Sequence, residues 1–220
     1  MRSLHWHAPT DVPTEPPPDL AGAAHASRRA LEQLLVDAED DAAWDFLALS
    51  YAEMAAEWPE WSRSQERWYA SPVRAGLRHA RPVRWAVEVG CGTGEATVPL
   101  AGHAGHVIST DVNEEMIQLA PRVPGVTRVV SDVRRLPLAT GSVQLLAGLN
   151  AVPHINEFNR VIAPGGQLLW CTSFGPGTPL YVNPQRLLEM LGAWWTGEAG
   201  RAGHGEWLLL TRTTAPHAPS

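Results

Sequence analysis

The chain has 220 residues, enough to bury one sizeable core, and its 45% hydrophobic and 18% charged content is that of a globular protein rather than a disordered one. A net charge of −6, with every one of the 17 basic residues an arginine, argues against a nucleic-acid partner, which needs many phosphate contacts. No apolar run is long enough to span a bilayer, so a membrane partner is not expected either.

Residues 1–20 carry Pro9, Pro13, Pro16, Pro17 and Pro18 among acidic residues, and such a run reads as a flexible leader. His5 and His7 lie inside it, two positions apart, a pair that a disordered tail carries by chance. The leader lacks the basic-then-apolar texture of a secretory signal, and Cys91 and Cys171 are too few for a disulfide framework or a Cys-rich zinc site. A reducing cytoplasm is the expected home.

Residues 21–80 read as a helical cap. Leu31, Leu34, Leu35 and Ala38 make one apolar face. Trp44, Leu47, Ala48, Tyr51, Met54, Ala55 and Trp58 repeat at helical spacing in a second run, with Asp40 and Asp41 before it as cap and dipole partners and Pro59 to end it. A third short helix carries Trp61, Trp68 and Tyr69. These aromatics either pack the helices against the rest of the chain or, for Tyr51, Trp58 and Trp61, line a lid over a substrate.

From Val83 the texture alternates. Strands are expected at Trp85–Val89, His106–Thr110, Thr127–Ser131, Val143–Leu149 and Gln167–Thr172, with helices at Ala96–Ala101, Glu114–Ala120 and Pro153–Ile162. Strands separated by helices predict a parallel α/β sheet whose ligand site lies at the carboxyl ends of the strands. A helix over Asn183–Ala193 follows. Trp194–Ala199 and Glu206–Thr213, joined by a Gly-rich link, then predict an antiparallel hairpin at the sheet edge.

The most informative segment is Val87-Glu88-Val89-Gly90-Cys91-Gly92-Thr93-Gly94-Glu95, a strand entering alternating glycines and then a helix. Glycine there allows a tight turn and close approach of a ligand to the backbone. The dinucleotide spacing G-x-G-x-x-G fails in both registers, since Glu95 and Thr97 stand where the third glycine belongs, which disfavours a nicotinamide oxidoreductase. Acids on both sides of the turn favour a cationic or zwitterionic ligand over a pyrophosphate.

This run resembles the first motif of the class I S-adenosylmethionine-dependent methyltransferases, and three later features agree. Asp111-Val112-Asn113-Glu114-Glu115-Met116 is similar to the family's acid and methionine after the second strand. Ser131-Asp132-Val133 follows the third strand, and Arg160-Val161-Ile162-Ala163-Pro164-Gly165-Gly166 resembles the turn before the fifth. The resemblance implies a Rossmann-like, doubly wound and mostly parallel sheet over residues 81–220, with S-adenosylmethionine as cofactor. It places Gly90, Cys91, Gly92 and Gly94 against the methionine part, with Glu88 acting through the loop. Asp111 would lie at the ribose, with Val112 beside it in the cofactor site, Met116, Asp132 and Val133 at the adenine, and Asn150 near the methyl group.

The function implied is methyl transfer to a small-molecule acceptor by in-line displacement, in which the protein chiefly orients the acceptor and excludes water. His154 and Tyr181, on loops after the fourth and fifth strands, are the candidate catalytic groups, and no metal is expected. The alternative is a protein of the same fold that binds the cofactor without transferring methyl. A protein or nucleic-acid methyltransferase is weakened by the absence of a basic patch. Acceptor identity and oligomeric state have no signature.

Overall fold

A computed structural model describes residues 3–18 and 20–215. The leader departs from the expectation of a free segment: it opens with strand β1 (His5–Trp6), laid parallel to Glu198 and Ala199 at the edge of the sheet. His7 N donates to Ala199 O at 2.8 Å, Thr10 N donates to Arg201 O at 3.0 Å, and Leu4 is buried. The prolines begin at position 9, so residues 4–7 keep their N–H groups, and an otherwise open sheet edge supplies the partners. Met1, Arg2 and Asp19 of that segment lie outside the described residues.

Five helices follow: α1 (Ala21–Leu34), α2 (Asp41–Met54), α3 (Trp58–Ser64), α4 (Glu66–Tyr69) and α5 (Ser71–Leu77). Asp40 caps α2 by accepting from Ala43 N at 3.1 Å. The second helical run stops at Met54, short of Pro59. That proline instead occupies the first turn of α3, where its missing N–H costs nothing. The expected third helix is therefore split, and α5, whose residues are buried apart from Arg74, packs on the sheet.

The remaining elements are β2 (Ala86–Val89), α6 (Thr97–Ala101), β3 (Val107–Asp111), α7 (Glu114–Leu119), β4 (Val126–Val130), β5 (Val143–Leu149), α8 (Ile155–Val161), β6 (Ile162–Thr172), α9 (Pro184–Leu191), β7 (Trp195–Ala202) and β8 (Gly205–Arg212). One sheet runs β1-β7-β8-β6-β5-β2-β3-β4, and β8 alone is antiparallel to its neighbours. The hairpin joins the sheet through β8, while β1 takes the outer edge. β7 continues through Gly200 and Arg201, which the sequence places in the link. Glycine is required at 200 because a Cβ there would stand 2.7 Å from the Trp207 indole lying across the strand.

Both faces of the sheet are covered. Adjacent leucines split between them: Leu146, Leu168 and Leu208 pack with Leu31, Phe158 and Trp195, whereas Leu145, Leu169 and Leu209 pack with Val73, Leu100 and Trp207. The order in which strands are added reverses between the parallel neighbours β2 and β5, which opens a crevice at their carboxyl ends. Among the described residues no helix is long and apolar enough to cross a membrane.

Candidate functional site

At the end of β2 the backbone turns through Gly90 (φ +60°) and Gly92 (φ +50°). A Cβ at Gly90 would stand 2.8 Å from that of Ala151. At Gly92 it would meet nothing within 4 Å, so the loop presents bare backbone to open space. Glu88, 1% exposed, holds the loop from beneath: its Oε2 accepts from Thr97 Oγ1 and Ser109 Oγ, each at 2.6 Å. Burial pushes this carboxyl up to about 7. The two hydroxyls oppose that shift, and the charges of Glu95 and Asp111 add to it.

Asp111 ends β3. Its Oδ2 accepts from Gly92 N at 2.8 Å and its Oδ1 from Asn113 N at 2.9 Å, so one side chain ties the glycine loop to the start of α7. A carboxylate has about four acceptor sites, and Asp111 keeps capacity for a diol. Burial raises its pKa despite these N–H groups. Asp132, after β4, accepts from Arg134 N and Nε at 2.8 Å each. Burial opposes its charge, but the hydrogen bonds and charge of Arg134 win and hold the carboxyl below its ordinary value. Arg134 also reaches Asp41 of α2 at 2.6 Å and lies over the Trp44 ring, latching the helical segment to the sheet.

These groups border a cavity of about 430 Å³, within the range of small-molecule sites, about 300–1,000 Å³. Its second wall is aromatic. Trp58 and Trp61 have ring centroids 5.1 Å apart, Trp61 and Tyr69 5.7 Å, and Tyr69 and Phe174 5.8 Å, with Tyr51 6.0 Å from Trp58. Between the walls sits Asn150, at the unusual φ of +53°. Its Nδ2 donates to Tyr69 Oη at 2.8 Å and Ser173 Oγ at 2.9 Å, and its Oδ1 accepts from Ser173 N at 2.8 Å. Three fixed bonds stabilise a backbone conformation that costs a non-glycine residue about 1–3 kcal/mol. Burial raises the Tyr69 hydroxyl far above its ordinary pKa, with the charge of Glu95 adding to the shift, so it stays a neutral phenol.

Of the residues expected at a cofactor, Glu88, Gly90, Cys91 and Gly92 line the cavity from β2 and its loop. Asp111, Val112 and Met116 line it from β3 and α7, and Asp132, Val133 and Asn150 from the next two strand ends. Gly94 does not; its φ of +90° makes the turn into α6. Burial pushes the Cys91 thiol far up, so it is no thiolate nucleophile. Neither of the two candidate catalytic groups, His154 and Tyr181, lines the cavity. His154, 4% exposed, is the N-cap of α8: its Nδ1 accepts from Glu157 N at 3.3 Å. Tyr181 turns away to donate to Glu206 Oε2 at 3.0 Å, and burial with that carboxylate's charge raises its pKa to about 12.

Tyr69, Glu95 and Asn113 border the cavity and had no assignment from sequence. Glu95 stood in the motif itself, whereas Tyr69 sits in a four-residue helix without periodicity. Asn113 caps α7 through Oδ1, and its Nδ2 is buried without a partner among the described residues. An orphan donor beside the cavity, a glycine with open space over it, and acids at Glu88 and Asp111 that have no ion-pair partner among the described residues together suit a polar, positively charged nucleoside such as S-adenosylmethionine.

Residues 86–166 match the methyltransferase domain family. Demethylmenaquinone methyltransferase of Staphylococcus saprophyticus is 31% identical over 116 residues, 46% of this chain and 50% of that protein. Its Staphylococcus aureus counterpart (strain MRSA252) is 30% identical over 123 residues. The chain spans about half the length of these curated relatives. A SAM-dependent methyltransferase from Aquifex aeolicus superposes with a TM-score of 0.56 at 18% identity, covering 67% of this chain and 93% of that one. A candidate S-adenosylmethionine-dependent methyltransferase from Methanococcus maripaludis gives 0.59 at 14% identity, covering 76% and 95%. The two solved structures agree on the fold.

Proposed function

We infer that this chain, whose residues 86–166 match the methyltransferase domain family, is a class I S-adenosylmethionine-dependent methyltransferase that methylates a small hydroxylated aromatic molecule. The carrying observation is one cavity with two unlike walls, acids and bare glycine backbone on one side and the rings of Tyr51, Trp58, Trp61, Tyr69 and Phe174 on the other. Bound S-adenosylmethionine supplies a methyl group on a sulfonium, an electrophile with its leaving group attached.

The chain's residues do the rest. Asp111 would accept from the ribose hydroxyls, Asp132 and the Val133 backbone would meet the adenine, and the Gly90–Gly92 backbone would take the methionine part. Trp58, Trp61 and Phe174 sandwich a planar acceptor and keep water out, which is where orientation lowers the barrier. Tyr69, a neutral phenol held by Asn150, donates a hydrogen bond to an oxygen of the acceptor and keeps its proton. The Glu95 carboxylate, which lines the same cavity and whose charge acts on Tyr69, takes the acceptor's hydroxyl proton.

The test is transfer of labelled methyl to a panel of hydroquinones, catechols, phenols, aliphatic alcohols and amines. Demethylmenaquinone belongs in the panel because relatives bear that name. Turnover concentrated on the hydroxylated aromatics, and falling about 10- to 100-fold in Trp58→Ala, is the expected pattern. Preference for aliphatic amines would overturn the acceptor assignment. Binding without turnover on any acceptor would leave only a cofactor-binding protein.

A further inference from the structure

Away from the cavity, three side chains from distant parts of the chain meet at the outer edge of the sheet. His7 follows β1, His79 lies in the turn after α5, and Glu198 is on β7. His7 Nε2 stands 2.7 Å from Glu198 Oε2 and His79 Nδ1 3.4 Å from Glu198 Oε1. The three ligand-capable atoms all lie within 4.8 Å of one another. The imidazoles are 4.3 Å apart between centroids, and His79 stacks on the buried Trp207 at 4.7 Å. Trp207 can occupy that place only because Gly200 has no Cβ. The two rings are thus set against a rigid floor.

Among the described residues the only ion-pair partners of Glu198 are these two histidines, and each carries charge only when protonated. Two imidazolium rings in contact repel, so the protonated pair is a poor counter-charge for one carboxylate. Two neutral imidazoles with an ionised carboxylate are instead the donor set of a first-row divalent ion, Zn²⁺ foremost. Donors sharing such an ion at about 2.0–2.1 Å stand roughly 3.3 Å apart in a tetrahedron. All three side chains are partly exposed, and donors already within 4.8 Å of one another stand close to that spacing.

We propose that His7, His79 and Glu198 bind a divalent transition-metal ion, Zn²⁺ by preference, with a fourth position open to water. None of the three lines the cavity, so the ion serves the structure rather than methyl transfer. It fastens a two-residue strand, which has few hydrogen bonds of its own, to β7 and to the end of α5. No local spacing announces the site, because its ligands come from positions 7, 79 and 198.

The experiment is calorimetric titration of tag-free, chelator-treated protein with Zn²⁺, followed by thermal melts. One site per chain is expected at micromolar Kd or tighter, weakened at least tenfold in both His79→Gln and Glu198→Gln and unchanged in His103→Gln. At a hundredfold excess over Kd the melting temperature rises by about 5–10 °C. Absence of saturable binding, or binding that survives both substitutions, refutes the site. Should a variant fail to fold, hydrogen exchange on the wild type decides. Zn²⁺ must slow exchange at residues 5–7 and 198–199, and unchanged exchange there refutes the site equally.

Discussion

Glu88→Gln isolates the electrostatics beneath the glycine loop. Glu88 is buried and bonded by two hydroxyls, and its carboxyl titrates near 7 instead of 4.5. At about 1.4 kcal/mol per unit, that difference corresponds to roughly 3 kcal/mol. The sign follows from proton uptake: the folded state binds the proton more tightly than the unfolded chain. The contribution is therefore complete below 4.5 and lost as pH rises through 7. Glutamine keeps a carbonyl for Thr97 and Ser109 and never ionises, so it removes this dependence while preserving the shape. Urea unfolding of both proteins between pH 4 and pH 8 reads the effect. The stability of the variant relative to wild type should rise by about 3 kcal/mol across that interval, a melting-point difference of about 6–12 °C for a chain this size. A difference that stays flat within about 0.5 kcal/mol would refute the assignment of a buried, costly charge at this position.

Other substitutions separate binding from chemistry. Gly92→Ala should cost about 1–2 kcal/mol in stability, from the positive φ alone, yet reduce cofactor affinity far more because the new Cβ enters the open space; equal effects in melts and calorimetry would contradict this. Tyr69→Phe should lower kcat at least tenfold with little change in cofactor Kd, since Asn150 keeps its bonds to Ser173; an unchanged kcat would remove Tyr69 from the acceptor site. His154→Ala should lose about 1 kcal/mol of stability through the lost cap and leave kcat unaltered. A steep loss of kcat at intact stability would restore His154 as a catalytic group.

Most of the sheet was legible because its strands are short apolar runs interrupted by helices, and β5 has the bounds that the pattern predicts. The strand-end carboxylates were legible for a similar local reason: Asp111 ends β3 and Asp132 stands two residues after β4. What escaped depends on partners far away in sequence. β1 is defined by the edge of β7, not by its own residues, and prolines nearby made residues 1–20 look free of structure. His154 and Tyr181 sit on the expected loops, but loop position does not settle which way a side chain turns, and a helix N-terminus and Glu206 claimed them. Tyr69 was invisible because its role comes from a contact with Asn150, 81 positions on.

Calorimetric titration with S-adenosylmethionine, run on the wild type and on Asp111→Ala, tests the central claim most directly. The predicted result is saturable binding at one site per chain in the wild type, weakened at least about a hundredfold in the variant, which loses both the diol acceptor and the tether to Gly92. No binding by a folded wild type, or equal binding by both proteins, would contradict the assignment of this cavity to the cofactor.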